Sequence, residues 1–276
     1  VKPAHEERHG EQDSTRPAAC PRAAGRRAVL WTDRTAAWYR RAAERGDYAE
    51  RVLAAVGPRL AACRTALDVG AGCGALAIPL ARRGIAVTAL EPSAAMARAL
   101  RRWAADAGVP PPTVVEAAWG EVPVGRHDLV LCAHVGNLLR TDSGFLREIG
   151  RVARRAVVLV RDLTAARGGD KFFYRELYPI LLGRPYDSGG AFDDPVDALR
   201  ALGIRPEVTE IEYRSDQPFD DLSEACDFWM TYLGRSDEKA RAYLAGFLRE
   251  RLVRDGEGWV APFRKAAAVI TWGGPS

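Results

Sequence analysis

The chain has 276 residues and a mass of 30.1 kDa, long enough for one α/β domain with additions or for two small domains. Its hydrophobic share of 47% is that of a globular protein, and a net charge of +4, from 40 basic and 36 acidic residues, permits an anionic partner without requiring nucleic acid. The five cysteines (20, 63, 73, 132 and 226) form no C-x-x-C pair, so neither a zinc site nor a disulfide framework is indicated and reduced thiols in the cytoplasm are expected. No apolar run approaches the roughly 18 residues of a membrane span, and Val1-Lys2-Pro3-Ala4-His5-Glu6 lacks the apolar core of a secretory signal.

Residues 1–27 mix Pro, Gly, Ala and both charges without apolar periodicity and read as a disordered arm. Residues 28–63 read as a helical cap. A helix carrying Trp31, Trp38 and Tyr39 stops at Gly46, Asp47 caps a second helix ending at Gly57-Pro58, and Arg59 to Cys63 forms a short third stretch. Strands and helices then alternate, the pattern of a parallel sheet covered on both faces. Strands are expected at Thr65–Gly70, Ile85–Glu91, Thr113–Ala117, His127–His134 and Ala156–Arg161. The intervening helices run over Gly74–Arg83, from Ser93 to about Ala107, and from about Asp142 to Arg154.

After Asp162 the alternation breaks. Residues 164–170 read as a mobile loop and Lys171–Leu182 as an aromatic helix; a helix starting at Asp194-Pro195 stops at Gly203, and Glu207–Ser215 alternates as a strand. Asp221-Leu222-Ser223-Glu224 is a capping-box pattern for a helix bearing Phe228, Trp229 and Tyr232. Ser236 caps a further helix to about Val253, and Gly256-Glu257-Gly258 turns into one long final strand, Trp259–Trp272. Residues 163–203 and 217–257 are read as helical lid segments, too small to hold a core of their own.

The most informative stretch is Asp68-Val69-Gly70-Ala71-Gly72-Cys73-Gly74, between an apolar strand and an apolar-periodic helix. The first two glycines allow a tight turn and close backbone approach to a ligand, the third allows close helix–strand packing, and the helix end presents free N–H groups above the turn. Asp68 would repel a diphosphate and tolerate a cation. Glu91 ends the next strand, where a ribose diol is held.

These residues, with Leu90-Glu91-Pro92-Ser93 and His127-Asp128-Leu129-Val130-Leu131-Cys132-Ala133-His134, resemble the motifs of class I S-adenosylmethionine-dependent methyltransferases over about Ala61 to Asp162. The resemblance implies a Rossmann-like, seven-stranded, mostly parallel sheet with helices on both faces, an N-terminal helical cap and a helical insert before the last strand. It makes 28–276 one methyltransferase domain with its cofactor-binding core at 64–162.

It also implies roles. Asp68, Gly70, Ala71, Gly72 and Gly74 would hold the methionine part of S-adenosylmethionine, Glu91 its ribose, and Pro92 the adenine edge; Cys132 closes the pocket at the fourth strand end. Ala118 and Trp119 stand where the family places an acid near the adenine amino group, and Trp119 would stack on the ring instead. S-Adenosylhomocysteine would be the product.

His134 is the candidate general base, or else a pocket wall. Trp31, Trp38, Asn137, Arg161, Tyr174 and Trp229 are candidates for the acceptor pocket, each with an ordinary packing, capping or ion-pair role as the alternative. No metal site is indicated, and the sequence leaves the oligomeric state open. The aromatic cap and lid suit a small aromatic or apolar acceptor. Three alternatives stand beside this reading: an RNA or other nucleic-acid methyltransferase, a nicotinamide-dependent oxidoreductase, and a cofactor-binding protein without catalysis. The fourth strand lacks the Asn/Asp-Pro-Pro-aromatic pattern of amino-methylating enzymes, and Asp68 argues against a dinucleotide.

Overall fold

The computed structural model describes residues 31–135, 138, 144–167, 169–170, 172–187 and 195–273. The expected arm at 1–27, Asn137, the loop at Gly189-Gly190 and the start of the helix at Asp194 lie outside them.

A seven-stranded sheet forms the frame. Its strands are β1 (Thr65–Val69), β2 (Ala86–Leu90), β3 (Thr113–Val115), β4 (His127–Ala133), β5 (Ala153–Asp162), β6 (Glu207–Arg214) and β10 (Arg264–Gly273), in the order β3-β2-β1-β4-β5-β10-β6. The first five are mutually parallel, and β10 runs antiparallel between β5 and β6. The central strands read as continuous apolar runs because both faces are covered: Leu67, Leu129, Val130, Leu131, Val157, Val158 and Leu159 are fully buried. The order reverses between β1 and β4, and an open α/β sheet binds its ligands beyond the carboxyl ends at such a point.

The connecting helices are α3 (Ala77–Arg82), α4 (Ala94–Asp106), α5 (Phe145–Val152) and α7 (Pro195–Ala201). Ser93 caps α4 by accepting from the Met96 N–H at 3.4 Å. Before the sheet come α1 (Asp33–Arg45), α2 (Tyr48–Val56) and a 3-10 turn at Gly57–Ala62. α1 is capped by Thr32, whose hydroxyl accepts from the Thr35 N–H.

Several local expectations are corrected. Asp47 makes no side-chain cap on α2; its carboxylate accepts from the Arg214 N–H at 2.6 Å and pairs with Arg51, which ties α2 to β6. The cap of α9 (Glu238–Arg251) is Asp237, not Ser236, because Asp237 accepts from the Ala240 N–H. The final strand is two strands. β9 (Gly258–Ala261) pairs with β7 (Gln217–Phe219) and β8 (Val253–Asp255) in a second, three-stranded sheet, and β10 begins only after Pro262-Phe263. Proline has no N–H for a ladder, and the Phe263 N–H is taken by Asp216. The aromatic helix begins three residues late, at α6 (Tyr174–Leu182), because Phe172 and Phe173 take left-handed backbone angles (φ 60° and 57°). Thr164, in the expected loop, is buried, and its hydroxyl accepts from the Ala266 N–H of β10.

The insert between β7 and β9, mainly α8 (Leu222–Leu233) and α9, does assemble a hydrophobic layer: Phe228, Trp229, Leu244 and Phe247 pack with Phe219 and Phe263. It completes that layer with Trp38 of α1 and Tyr174, Leu177 and Leu181 of α6. The lid is thus built jointly from the cap, α6 and the insert. No described helix is long and apolar enough to cross a membrane.

Candidate active site

The glycine turn lies directly at the carboxyl end of β1. Gly70, Gly72 and Gly74 all take left-handed φ values of 71°, 56° and 98°. A Cβ on Gly70 would stand 2.6 Å from a Val135 methyl carbon, so the loop after β4 packs against the turn only because that atom is missing. A Cβ on Gly74 would meet Ile78 of α3 and Leu100 of α4 at 3.0 Å, so the missing atom serves close packing of the turn against two helices. At Gly72 the same atom would meet nothing within 4 Å: the turn opens there into a cradle.

The N–H groups of the turn itself are mostly consumed. Gly70 and Ala71 donate to the Leu90 carbonyl (2.8 and 3.2 Å), Gly74 donates to the Ala71 carbonyl (3.0 Å), and Gly72 donates to Glu91 Oε2 (2.8 Å). Glu91 Oε1 accepts from the Ser93 N–H, also at 2.8 Å. One carboxylate thereby braces the turn against the end of β2, and its four lone-pair positions leave two for a ligand's hydroxyls.

Asp68 is 2% exposed, and its carboxylate accepts from the Ala77 N–H at the start of α3. Burial, reinforced by the charge of Glu91, pushes its pKa up to about 7. Burial also raises Glu91, against the two N–H groups that it accepts from. Two buried carboxylates beside a turn whose donors are already spent cannot welcome a diphosphate. They suit a ligand bearing a cation and a diol, which is what the amino group and ribose of S-adenosylmethionine supply. This arrangement disfavours the nicotinamide dinucleotide alternative on structural grounds.

The other residues expected at the cofactor fall around the same strand ends. Ala71 and Cys132 are buried, Cys132 on β4 opposite Val69 with its thiol pushed up by burial. Pro92 is exposed. Ala118 donates its N–H to Glu121, while the Trp119 indole donates to Glu148 at 2.9 Å and meets Phe145 edge-on at 5.4 Å. Trp119 is therefore held by α5.

His134 follows the last residue of β4 with φ 58°, and its N–H donates to the Val160 carbonyl at 3.0 Å. A left-handed non-glycine residue at a strand end is uncommon, and such outliers gather at functional sites. Its ring lies 5.4 Å from that of Tyr48. The acceptor-pocket candidates divide. Trp31 packs edge-on with Tyr39 and beside Cys73 and Met96, next to the glycine turn. Trp38 and Trp229 are fully buried in the lid layer, their indole N–H groups donating to Glu224 (2.8 Å) and the Phe172 carbonyl (2.7 Å). Tyr174 packs with Tyr178 and Tyr186. Arg161 is half-buried; Asp162, its neighbour on β5, accepts from the Thr164 N–H, and alternation sends the two side chains to opposite faces.

Tyr39, on the cap helix with Trp31 and Trp38, is expected either to line the roof of the site or to staple the helix to the core. Its side chain remains 41% exposed, yet its phenol is pushed well above the usual tyrosine range, by burial first and then by Cys73, Tyr232, Asp68 and Glu91. Tyr48 and Tyr213 have no place in the site on sequence grounds; the alternation of β6, which buries Ile211 and Tyr213, is the available signal.

The seven-stranded, mostly parallel sheet with its covering helices is a Rossmann-like methyltransferase fold. Residues 67–160 match the sequence profile of a family described as a methyltransferase domain. Among solved structures, a candidate methyltransferase from Bacillus halodurans is similar at 16% identity and a TM-score of 0.51, over 83% of this chain and 99% of that one. A methyltransferase from Thiobacillus denitrificans in complex with S-adenosyl-L-homocysteine aligns at 15% identity (82% and 96% covered, TM-score 0.47). Magnesium protoporphyrin IX methyltransferase from Synechocystis with bound S-adenosylmethionine does so at 15% (81% and 79%, TM-score 0.41). No curated protein matches the sequence.

Proposed function

We propose that this methyltransferase moves the methyl group of S-adenosylmethionine directly to a small aromatic or apolar acceptor enclosed between the strand ends and the aromatic lid. The observation that carries this reading is Tyr39, whose ring packs edge-on with Trp31 at 5.6 Å within electrostatic reach of Asp68, Glu91 and, in the lid, Tyr232. Such a pair of rings favours a flat molecule that leaves water behind.

Asp68 holds the amino group and Glu91 the ribose diol, while the Gly72 cradle takes the methionine chain. A lone pair of the acceptor forms the bond to the methyl carbon as the carbon–sulfur bond breaks, and the sulfonium charge is discharged onto neutral thioether sulfur. Where the acceptor atom carries a proton, His134 receives it. Aromatic faces and alignment supply the remaining acceleration. The described cysteines, Cys63, Cys73, Cys132 and Cys226, are buried and unpaired, which supports a reducing compartment.

Calorimetric titration with S-adenosylhomocysteine and with NAD tests the cofactor: binding of the first alone is expected. A radiolabelled methyl screen over small aromatic compounds and total RNA tests the acceptor, and label in RNA alone would sink the small-molecule reading. On the acceptor so found, His134→Ala is expected to lose at least about 100-fold in kcat with unchanged S-adenosylhomocysteine affinity. Full turnover in that variant would make His134 a wall.

A further inference from the structure

Tyr48, the first residue of α2, carries a hydroxyl that is buried and has no hydrogen-bond partner among the described residues. Its ring is wedged between Tyr213 of β6 at 4.8 Å and His134 at 5.4 Å. It also lies within electrostatic reach of Tyr39, Asp68 and Asp162, so it sits over the carboxyl ends of β1, β4 and β5, next to the cofactor carboxylates. A buried hydroxyl left unpaired is destabilising, and phenylalanine would fill the same volume without that cost. The group is therefore best explained by a partner that arrives with a ligand.

We propose that Tyr48 is a binding residue for the methyl acceptor, and that the acceptor is an aromatic compound whose phenolic oxygen receives the Tyr48 hydrogen bond beside His134. The proposal rests on the methyltransferase reading above. Tyr39 and Tyr213 would supply aromatic walls, and Tyr48, with its ring 5.4 Å from that of His134, would meet a phenol at its only polar group. As the phenolic oxygen forms its bond to the methyl carbon and the carbon–sulfur bond breaks, the phenolic proton passes to the imidazole of His134. Tyr48 donates to that oxygen throughout and loses no proton.

The test uses the full chain saturated with S-adenosylhomocysteine and titrated with p-nitrophenol, whose visible band reports both binding and ionisation. The intact protein is expected to bind it saturably and to increase the phenolate band. Tyr48→Phe is expected to weaken binding about 10-fold, or about 1.4 kcal/mol, and to diminish the band increase. The same variant should keep its S-adenosylhomocysteine affinity within about twofold, and its melting temperature should be unchanged or higher, since the hydroxyl it loses has no partner among the described residues. A lower melting temperature in Tyr48→Phe, equal p-nitrophenol binding in both proteins, or no binding by the intact protein would each overturn the proposal. Failure of the intact protein to bind S-adenosylhomocysteine would instead overturn the methyltransferase reading.

Discussion

The half of the molecule around β1, β2 and β4 and the half around α6, α8 and α9 solve opposite problems. In the first, a few polar groups are arranged in a sheet end: Glu91 braces Gly72 and Ser93, and Asp68 holds the start of α3. In the second, bulk does the arranging. Phe172, Phe173, Phe219, Phe228, Trp229, Phe247 and Phe263 pack ring against ring at centroid distances of 5.0–5.8 Å, and each buried indole N–H finds one acceptor. The contrast separates stability from recognition: the lid layer should dominate folding energy, and the sheet end should dominate cofactor affinity.

The largest effect that tests this separation is expected from Trp229→Ala. It removes a fully buried indole and leaves the Phe172 carbonyl without its donor, so a loss of roughly 3–5 kcal/mol in urea unfolding is expected. The fraction that remains folded should bind S-adenosylhomocysteine normally. If affinity fell in step with stability, the two halves would not be separable. Next in size is Glu91→Ala, which removes the ribose ligand and leaves the Gly72 and Ser93 N–H groups unpaired. It should weaken S-adenosylhomocysteine binding by about 2–3 kcal/mol with a smaller loss of stability, and unchanged calorimetric affinity would remove Glu91 from the site.

The two halves also differ in how much of them the sequence discloses. The sheet end is written locally: buried strands as apolar runs, the turn as three spaced glycines, the α4 cap as Ser93 before an apolar helix. What it leaves unsaid is where hydrogen bonds close. The turn N–H groups go to Leu90 and Glu91, residues about twenty positions away. The lid half is decided by long-range partners. Asp47 reads as a cap, yet β6 captures its carboxylate from 167 residues away. The run from Trp259 to Trp272 reads as one strand, because nothing local shows that β7 and β8 flank its first four residues. Tyr48 and Tyr213 look like ordinary helix and strand residues until β6 and α2 bring them to His134.

A subtler probe of the sheet end is Asp68→Asn, which keeps an acceptor for the Ala77 N–H and removes the charge. In the ligand-free protein Asp68 holds its proton up to about pH 7, whereas an unfolded aspartate loses it near 3.8. Between those values the native state binds the extra proton, so this residue's contribution to stability falls as pH rises through that window. The substituted amide cannot ionise, so the variant should gain stability over the native protein as pH rises towards 7 and hold that gain above it. The ligand's ammonium needs the ionised carboxylate, so S-adenosylhomocysteine affinity in the native protein should fall about 10-fold per pH unit below about 7. In Asp68→Asn that slope should flatten at a uniformly weaker affinity. Urea titrations of the ligand-free pair and calorimetry across pH read the two effects separately. A variant that binds as tightly as the native protein at about pH 8 would mean that the ammonium is held elsewhere.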